Sequence, residues 1–425
     1  MEALNETGTP NAQPPAGGMK AGKVSGLERA TLRRALALLG NPPIELVLWN
    51  GEVVNTGHGI PAARLWIHHR GLLLRLLYRP DLYFGEAYSH GEVKIEGDLV
   101  KLLEYLDPLE QRGARRRLWE RLKLKFPLLE PHTLARSRSN IHHHYDIGNA
   151  FYQLWLDPEL VYTCAYFPTE SASLEEAQQA KMDYVCRKLR LKPGETVVEA
   201  GCGWGALARY MARHYGVKVR AYNISREQIV YARELARQEG LDGKVEFIEE
   251  DYRAIDGRYD AFVSVGMLEH VGKAHYGELG SVIDCCLSPS GRGLLHSIGR
   301  DRPMPLNAWI EHYIFPGAYP PALMEMLEVL EPGGFSVLDV ENLRPHYART
   351  LEHWLTRYER ATDTVRQMFD ETFVRSWRFY LACSIAGFRT GSLQLFQITF
   401  NRAGINDAPW TRDFLYGKRL PGERL

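Results

Sequence analysis

The sequence predicts an α/β fold: a mostly parallel sheet flanked by helices, preceded by a small α+β unit. Three observations predict it. From Ser173 to about Phe400, short apolar runs alternate with longer stretches of 3.6-residue periodicity. Two of those stretches open on a helix-start signature, Ser173 with Glu176 and Ser225 with Gln228. Residues 196–210 place Gly201, Gly203 and Gly205 between a short apolar strand and an Ala/Leu/Met-rich helix, the turn at which such sheets bind nucleotide-like ligands. At 425 residues the chain exceeds one typical domain.

Residues 1–26 are polar and rich in Gly, Pro and Ala, with neither a basic start nor an apolar core, so a disordered leader is expected rather than a signal peptide. Residues 27–110 form the small α+β unit. Helical periodicity covers 27–39, and a hairpin is expected where 44–49 and 52–54 flank Asn50-Gly51. A strand at 65–68, an apolar stretch at 72–77, a strand at 93–95 and a helix over 98–106, capped by Asp98, follow. No catalytic constellation falls here, which reads as an accessory domain. In 111–139 the charge balance breaks. Arg112, Arg115, Arg116, Arg117, Arg121, Lys123 and Lys125 face Glu120 alone, interleaved with Leu118, Trp119, Leu122, Leu124 and Phe126. Such a segment either lies on an anionic lipid surface or is a solvated linker helix.

Residues 140–400 make the catalytic domain and 401–425 a tail. Its start carries His142, His143 and His144, but consecutive residues point in different directions, so no metal site is expected. The alternative is a cap that folds over a ligand, bringing Tyr145 and Cys164 inward. Strands are expected at 196–200, 217–221, 245–248, 259–264, 293–298, 335–340 and 394–400. Helices are expected over 173–191, from 206, over 225–239, and over 321–330, 347–360 and 362–386.

The glycines leave no Cβ to hold a ligand off the backbone. Glu199, directly before them, distinguishes the ligand: a carboxylate here accepts hydrogen bonds from the cationic end of S-adenosylmethionine. The loose dinucleotide pattern Gly201-x-Gly203-x-x-Ala206 is the rival, but it wants an acid at the end of the next strand. Tyr222, Asn223 and Ile224 stand there instead. Ligands of parallel sheets sit beyond the strands' carboxyl ends, which singles out Glu269 after the fourth strand and His296 near the end of the fifth. Either alone reads as a helix-start acid or a core histidine; together beside the glycine turn they favour chemistry. The stretch Trp309, Tyr313, Ile314, Phe315, Pro316 suggests an apolar channel beside ordinary core, and Tyr358 fits core or site.

With 52 basic and 52 acidic residues, no global field recruits nucleic acid. The six cysteines form neither a CxxC pair nor a zinc-type spacing, which fits reduced thiols in the cytoplasm. No run of about 18 uncharged apolar residues occurs, so the chain is expected at most to lie on a membrane face.

The segments Tyr162-Thr-Cys-Ala-Tyr-Phe167, Glu199-Ala-Gly-Cys-Gly-Trp-Gly205, Ser264-Val-Gly-Met-Leu-Glu-His-Val-Gly272, Leu295-His-Ser-Ile-Gly299 and Tyr313-Ile-Phe-Pro316 resemble the cyclopropane-fatty-acyl-phospholipid synthase family, which includes the mycolic acid cyclopropane synthases. The resemblance spans about 141–400 and, less specifically, the first unit, which resembles that family's small lipid-binding-like domain. It implies a Rossmann-like class I methyltransferase domain with a mostly parallel seven-stranded sheet, a homodimer, and peripheral attachment to the inner membrane face. It implies attack of a cis double bond in a phospholipid acyl chain on the methyl of S-adenosylmethionine, then loss of a proton and ring closure. It carries a bicarbonate base onto Cys164, Glu269, His296, Tyr358 and the backbone of Ile298. Cofactor contacts carry over onto Tyr145, Thr163, Glu199, Gly201, Gly203, Gly205, Asn223 and Gln228, with Asp251 and Tyr252 at the adenine. Thr163 stands where the family commonly has Ser, and Asn223 where it often has Thr. Relatives that add a methyl or methylene branch without closing a ring, small-molecule N-methyltransferases of the same fold, and a catalytically silent lipid-binding module are the alternatives.

Overall fold

The computed structural model describes residues 23–38, 41–55, 61–111 and 147–416. The first unit runs α1 (Gly26–Leu38), β1 (Ile44–Val47), β2 (Val53–Asn55), β3 (Ala63–Ile67), α2 (Arg70–Tyr78), α3 (Pro80–Ser89), β4 (Val93–Gly97) and α4 (Leu99–Gln111). Its sheet has the order β2-β1-β3-β4, with β1 and β3 parallel and the outer pairs antiparallel. The Asn50-Gly51 turn closes the expected hairpin, with Gly51 at φ 81°, an angle glycine adopts at no steric cost. Asp98 caps α4 by accepting from the Lys101 N–H at 3.0 Å. The apolar 72–77 stretch is helix α2, whose first turn is capped by His69. Helix α3 has no counterpart in the sequence reading; Pro80 in its first turn starts it.

The second unit continues with α5 (Asn149–Tyr152), α6 (Leu174–Lys188), β5 (Thr196–Ala200), α7 (Ala206–Tyr215), β6 (Lys218–Asn223), α8 (Arg226–Gln238), β7 (Val245–Glu249), β8 (Tyr259–Val265), α9 (Leu268–Val271), α10 (Tyr276–Cys286) and β9 (Leu287–Gly299). Then come α11 (Ala308–Tyr313), α12 (Leu323–Leu327), β10 (Phe335–Asn342), α13 (Arg344–Met368), α14 (Glu371–Thr390), β11 (Gln394–Arg402) and α15 (Asp413–Tyr416). The seven strands are ordered β10-β11-β9-β8-β5-β6-β7, and β11 alone of these seven runs antiparallel to the other six. From β5 the chain winds outward to β6 and β7, then returns to build β8 and β9 on the other side. The reversal opens a crevice at the carboxyl ends of β5 and β8, where ligands of such sheets bind.

Local signals explain most boundaries. At α6 the capping box forms in full: Ser173 Oγ accepts from the Glu176 N–H at 3.2 Å, and Glu176 accepts from the Ser173 N–H at 2.8 Å. At α8 only half of it forms, because the Gln228 side chain turns away to accept from Asn223 at 2.7 Å. The helix break expected near residue 361 falls instead at Phe369. Residues 361–363 contain neither Gly nor Pro, and the Thr362 hydroxyl bonds back to the Glu359 carbonyl at 3.0 Å inside the helix. Asp370 then caps α14 by accepting from the Phe373 N–H at 2.7 Å.

Helix α14 joins the two units. Its Arg375 guanidinium donates to the carbonyls of Tyr88 at 2.5 Å and Val93 at 3.0 Å, and Arg389 pairs with Glu104 at 2.7 Å. Beside it α3 lies directly on Trp309 of α11, which is 1% exposed, at a point where Gly85 leaves no room for a Cβ. Gly85→Ala is therefore expected to cost about 1–3 kcal/mol of overpacking. Thermal unfolding checks this: Gly85→Ala lowers the midpoint, while Gly277→Ala in α10, with open space around its Cβ position, does not.

Candidate functional site

Glu199 is the penultimate residue of β5, paired in register with Ala221 and Val263, and is 2% exposed. The chain then turns through Gly201, Gly203 and Gly205 at φ 83°, 54° and 79°. These glycines do different work. A Cβ on Gly201 would press on Met267 at 2.9 Å, whereas Gly203 has open space where its Cβ would stand. A Cβ on Gly205 would meet the Phe247 ring at 2.5 Å and Ala232 at 2.9 Å. Gly205 thus seats the turn on β7 and α8 and does not line the ligand cavity, contrary to the cofactor contact expected of it. The cavity is lined by Thr163, Glu199, Gly201, Gly203, Asn223 and Gln228, all expected from the sequence. Asn223 clamps it, its amide donating to the Gly203 carbonyl at 3.2 Å and to Gln228 at 2.7 Å.

One carboxylate oxygen of Glu199, Oε2, is buried without a hydrogen-bond partner among the described residues. Burial pushes the carboxyl up to about 8, opposed by the nearby Lys181 ammonium. Lys181, also lining the cavity, was missed by the sequence reading. The signal was there: Leu174, Ala177, Gln178, Lys181, Met182 and Val185 form the buried stripe of α6, and a lysine on such a stripe needs a reason. Asp251 caps its own turn, accepting from the Arg253 N–H and guanidinium, each at 3.0 Å. Tyr252 is buried beside it, and neither lines the cavity. Tyr145, the histidine triplet and the basic run from Arg112 lie outside the described residues. Among the described residues no His/Cys/Asp/Glu group is arranged to hold a metal.

A second set of buried polar groups sits at the ends of β8 and β9. Val265 pairs with His296, and the Gly266 N–H donates to the His296 carbonyl at 2.8 Å, so the chain leaving β8 carries Glu269 onto the end of β9. Glu269 Oε1 accepts from the Ile298 N–H at 2.6 Å; its Oε2 is buried with no partner among the described residues. Burial raises its pKa to about 7. Across the sheet, β11 places Gln397 opposite His296, and its amide nitrogen donates to Nδ1 at 3.0 Å. The proton is then on Nε2, which is buried without a partner among the described residues, and burial holds the ring neutral. The structure thus brings Glu269, His296 and the Ile298 backbone together.

Cys164 is completely buried, its thiol donating to the Ala165 carbonyl at 3.1 Å, and burial pushes its pKa far up. It stays a thiol. Ala165 N–H donates to Thr350 Oγ1 at 3.0 Å, which fixes α13 against this loop. Tyr358, expected with this group, is elsewhere. Its hydroxyl donates to the Val374 carbonyl at 3.1 Å, and its ring meets Phe151 edge-on at 6.4 Å. Eight residues beyond Thr350, it lies about 12 Å further along the helix. Tyr347, one turn before Thr350, shares the Thr350 face of the helix, and its ring packs on Trp354 and Phe388.

The orphaned atoms define what fits. Glu199 Oε2 is an acceptor for a ligand ammonium beside the glycine turn. His296 Nε2–H offers a small oxyanion one donor, and Glu269 offers a second when it is protonated. Because Glu269 binds its proton more tightly folded than unfolded, its burial costs stability as pH rises through about 7. Glu269→Gln is expected to raise the unfolding free energy at pH 8 by up to about 3 kcal/mol and to change it little at pH 4. Denaturant titrations at the two pH values check this.

A family model described as mycolic acid cyclopropane synthetase matches residues 132–398, and one described as a domain of unknown function (DUF7884) matches 31–111. The chain is similar to a probable fatty acid methyltransferase from Pseudomonas putida, 35% identical over 385 residues, 88% of this chain and 96% of that protein. It is similar also to cyclopropane-fatty-acyl-phospholipid synthase from Escherichia coli K12, 41% identical over 260 residues, 61% of this chain and 66% of that protein. Among solved structures, mycolic acid cyclopropane synthase CmaA1 complexed with SAH and CTAB superposes with a TM-score of 0.60 at 30% identity, over 64% of this chain and 99% of that one. The α/β sheet is therefore that of the class I methyltransferases, and the chain is a methyltransferase belonging to the mycolic acid cyclopropane synthetase family.

Proposed function

We propose that the protein converts the cis double bond of unsaturated phospholipid acyl chains into a cyclopropane ring. The observation that carries this reading is the pair of polar clusters at adjacent strand ends whose atoms lack partners among the described residues, Glu199 by the glycine turn and Glu269 with His296 beyond it. S-adenosylmethionine at the first supplies an electrophilic methyl group, and bicarbonate at the second supplies a base. The residues of the chain do the rest. Glu199 accepts from the cofactor's ammonium, and Gly203 lets the backbone close on the ligand. Glu269 and His296 hold the oxyanion, with the Ile298 N–H fixing the Glu269 carboxyl.

Proton loss must occur from a carbocation on the acyl chain, which any water would trap as an alcohol. The residues around the site keep water out. Tyr162 lines the cavity and packs on Trp155 at 5.3 Å and Trp354 at 5.2 Å, and its hydroxyl meets that of Tyr380 at 2.8 Å. Aromatic faces of this kind also stabilise a cation. Among the described residues no helix is long and apolar enough to cross a membrane, so in this reading the acyl chain is taken from a membrane surface. The basic segment from Arg112 to Lys125 is its proposed anchor.

A second reading, methyl or methylene branching without ring closure, is favoured by one observation. The Pseudomonas putida fatty acid methyltransferase matches over 96% of its length and the Escherichia coli synthase over 66%. Lipid mass spectrometry after incubation with S-adenosylmethionine and vesicles of cis-monounsaturated phospholipid separates the two. Ring formation predicts a gain of ~14 mass units that survives mild hydrogenation. A product that still takes up hydrogen supports branching, and no gain from a protein that binds the cofactor contradicts both.

A further inference from the structure

Lys181 is 2% exposed, reaches the cavity from the buried stripe of α6, and its ammonium donates to Thr163 Oγ1 at 2.9 Å. Among the described residues it forms this hydrogen bond and no salt bridge. A buried cation without a carboxylate partner is costly, and it persists where a ligand completes it. The carboxylates that face it do not suffice. Asp157 is committed to the backbone N–H groups of Glu159 at 3.1 Å and Val161 at 3.0 Å, and Glu199, near enough to act on the ammonium through space, keeps one oxygen unpaired among the described residues. Cys164, which also faces it, is a neutral thiol, and His296 is neutral as well. Because Thr163 Oγ1 accepts from Lys181, its own O–H is left to donate. The ammonium and this hydroxyl therefore present adjacent donors on the same cavity wall.

We infer that Lys181 and Thr163 receive the carboxylate of the cofactor's amino-acid end, opposite Glu199, which receives its ammonium. This rests on the reading that the cavity binds S-adenosylmethionine. The physical logic is charge matching. The zwitterionic amino-acid end gives Lys181 an anion and Glu199 a cation in one step, and itself adds no net charge to the site. Neither end alone does this.

Calorimetric binding of S-adenosylmethionine and of decarboxylated S-adenosylmethionine tests it. The wild type is expected to prefer the carboxylate-bearing compound by about 10- to 100-fold. Lys181→Met is expected to lose that preference by weakening S-adenosylmethionine alone, the decarboxylated compound binding within about threefold of wild type. Thr163→Val, which keeps the cation, is expected to lose part of the preference and serves if Lys181→Met does not fold. Equal weakening of both compounds in Lys181→Met, or an undiminished preference in Thr163→Val, overturns the assignment and leaves Lys181 as a counter-ion of Asp157. A wild type that binds neither compound overturns the cofactor reading and this one with it.

Discussion

Burying Glu199 at the carboxyl end of β5 removes a carboxylate from water and gives one of its oxygens no donor among the described residues, a cost that a ligand or a nearby cation offsets. Much of the domain is arranged around that cost. The strand must stop there, so the chain turns through glycines at left-handed angles. The turn must stay open at Gly203 yet close-packed at Gly205, so Phe247 and Ala232 fill the space behind it. Lys181 reaches in from α6 as the only ammonium lining the cavity among the described residues. Each of these features would be a defect in a protein that bound nothing here.

The same economy governs the second cluster. Glu269, Ile298 and His296 meet because β8 and β9 are parallel neighbours and the chain leaves β8 toward the end of β9. Gln397, about 100 residues after His296 in sequence, comes from the antiparallel strand β11 and decides which imidazole nitrogen carries the proton. The site is therefore completed by nearly the last strand of the sheet. Phe151, Tyr152, Trp155, Trp354 and Trp377 pack with Cys164 in one core cluster that Ile298 adjoins, and α14, part of that packing, also carries the first unit.

What could be read from the sequence was local or periodic. The glycine turn after Glu199, the Ser173 box, the Asn50-Gly51 hairpin and the strand-end positions of Glu269 and His296 all follow from chemistry within a few residues. What could not be read depends on neighbours distant in sequence. Tyr358 and Tyr347 are equally plausible on a helical wheel, and only the contact between Thr350 and the Cys164 loop distinguishes them. Gly205 reads as a ligand-facing glycine until Phe247 is seen behind it. Lys181 was legible as a polar residue on an apolar stripe, but its meaning lay in Thr163 and Glu199, which reach it from a loop and a strand end.

The most direct measurement is a titration of S-adenosylmethionine into Glu199→Gln, followed by calorimetry alongside thermal unfolding of the free protein. If Glu199 is buried to receive a ligand ammonium, the variant keeps its fold, unfolds at or above the wild-type temperature at pH 9, and binds at least about tenfold more weakly. A variant that binds S-adenosylmethionine as tightly as the wild type would contradict the account.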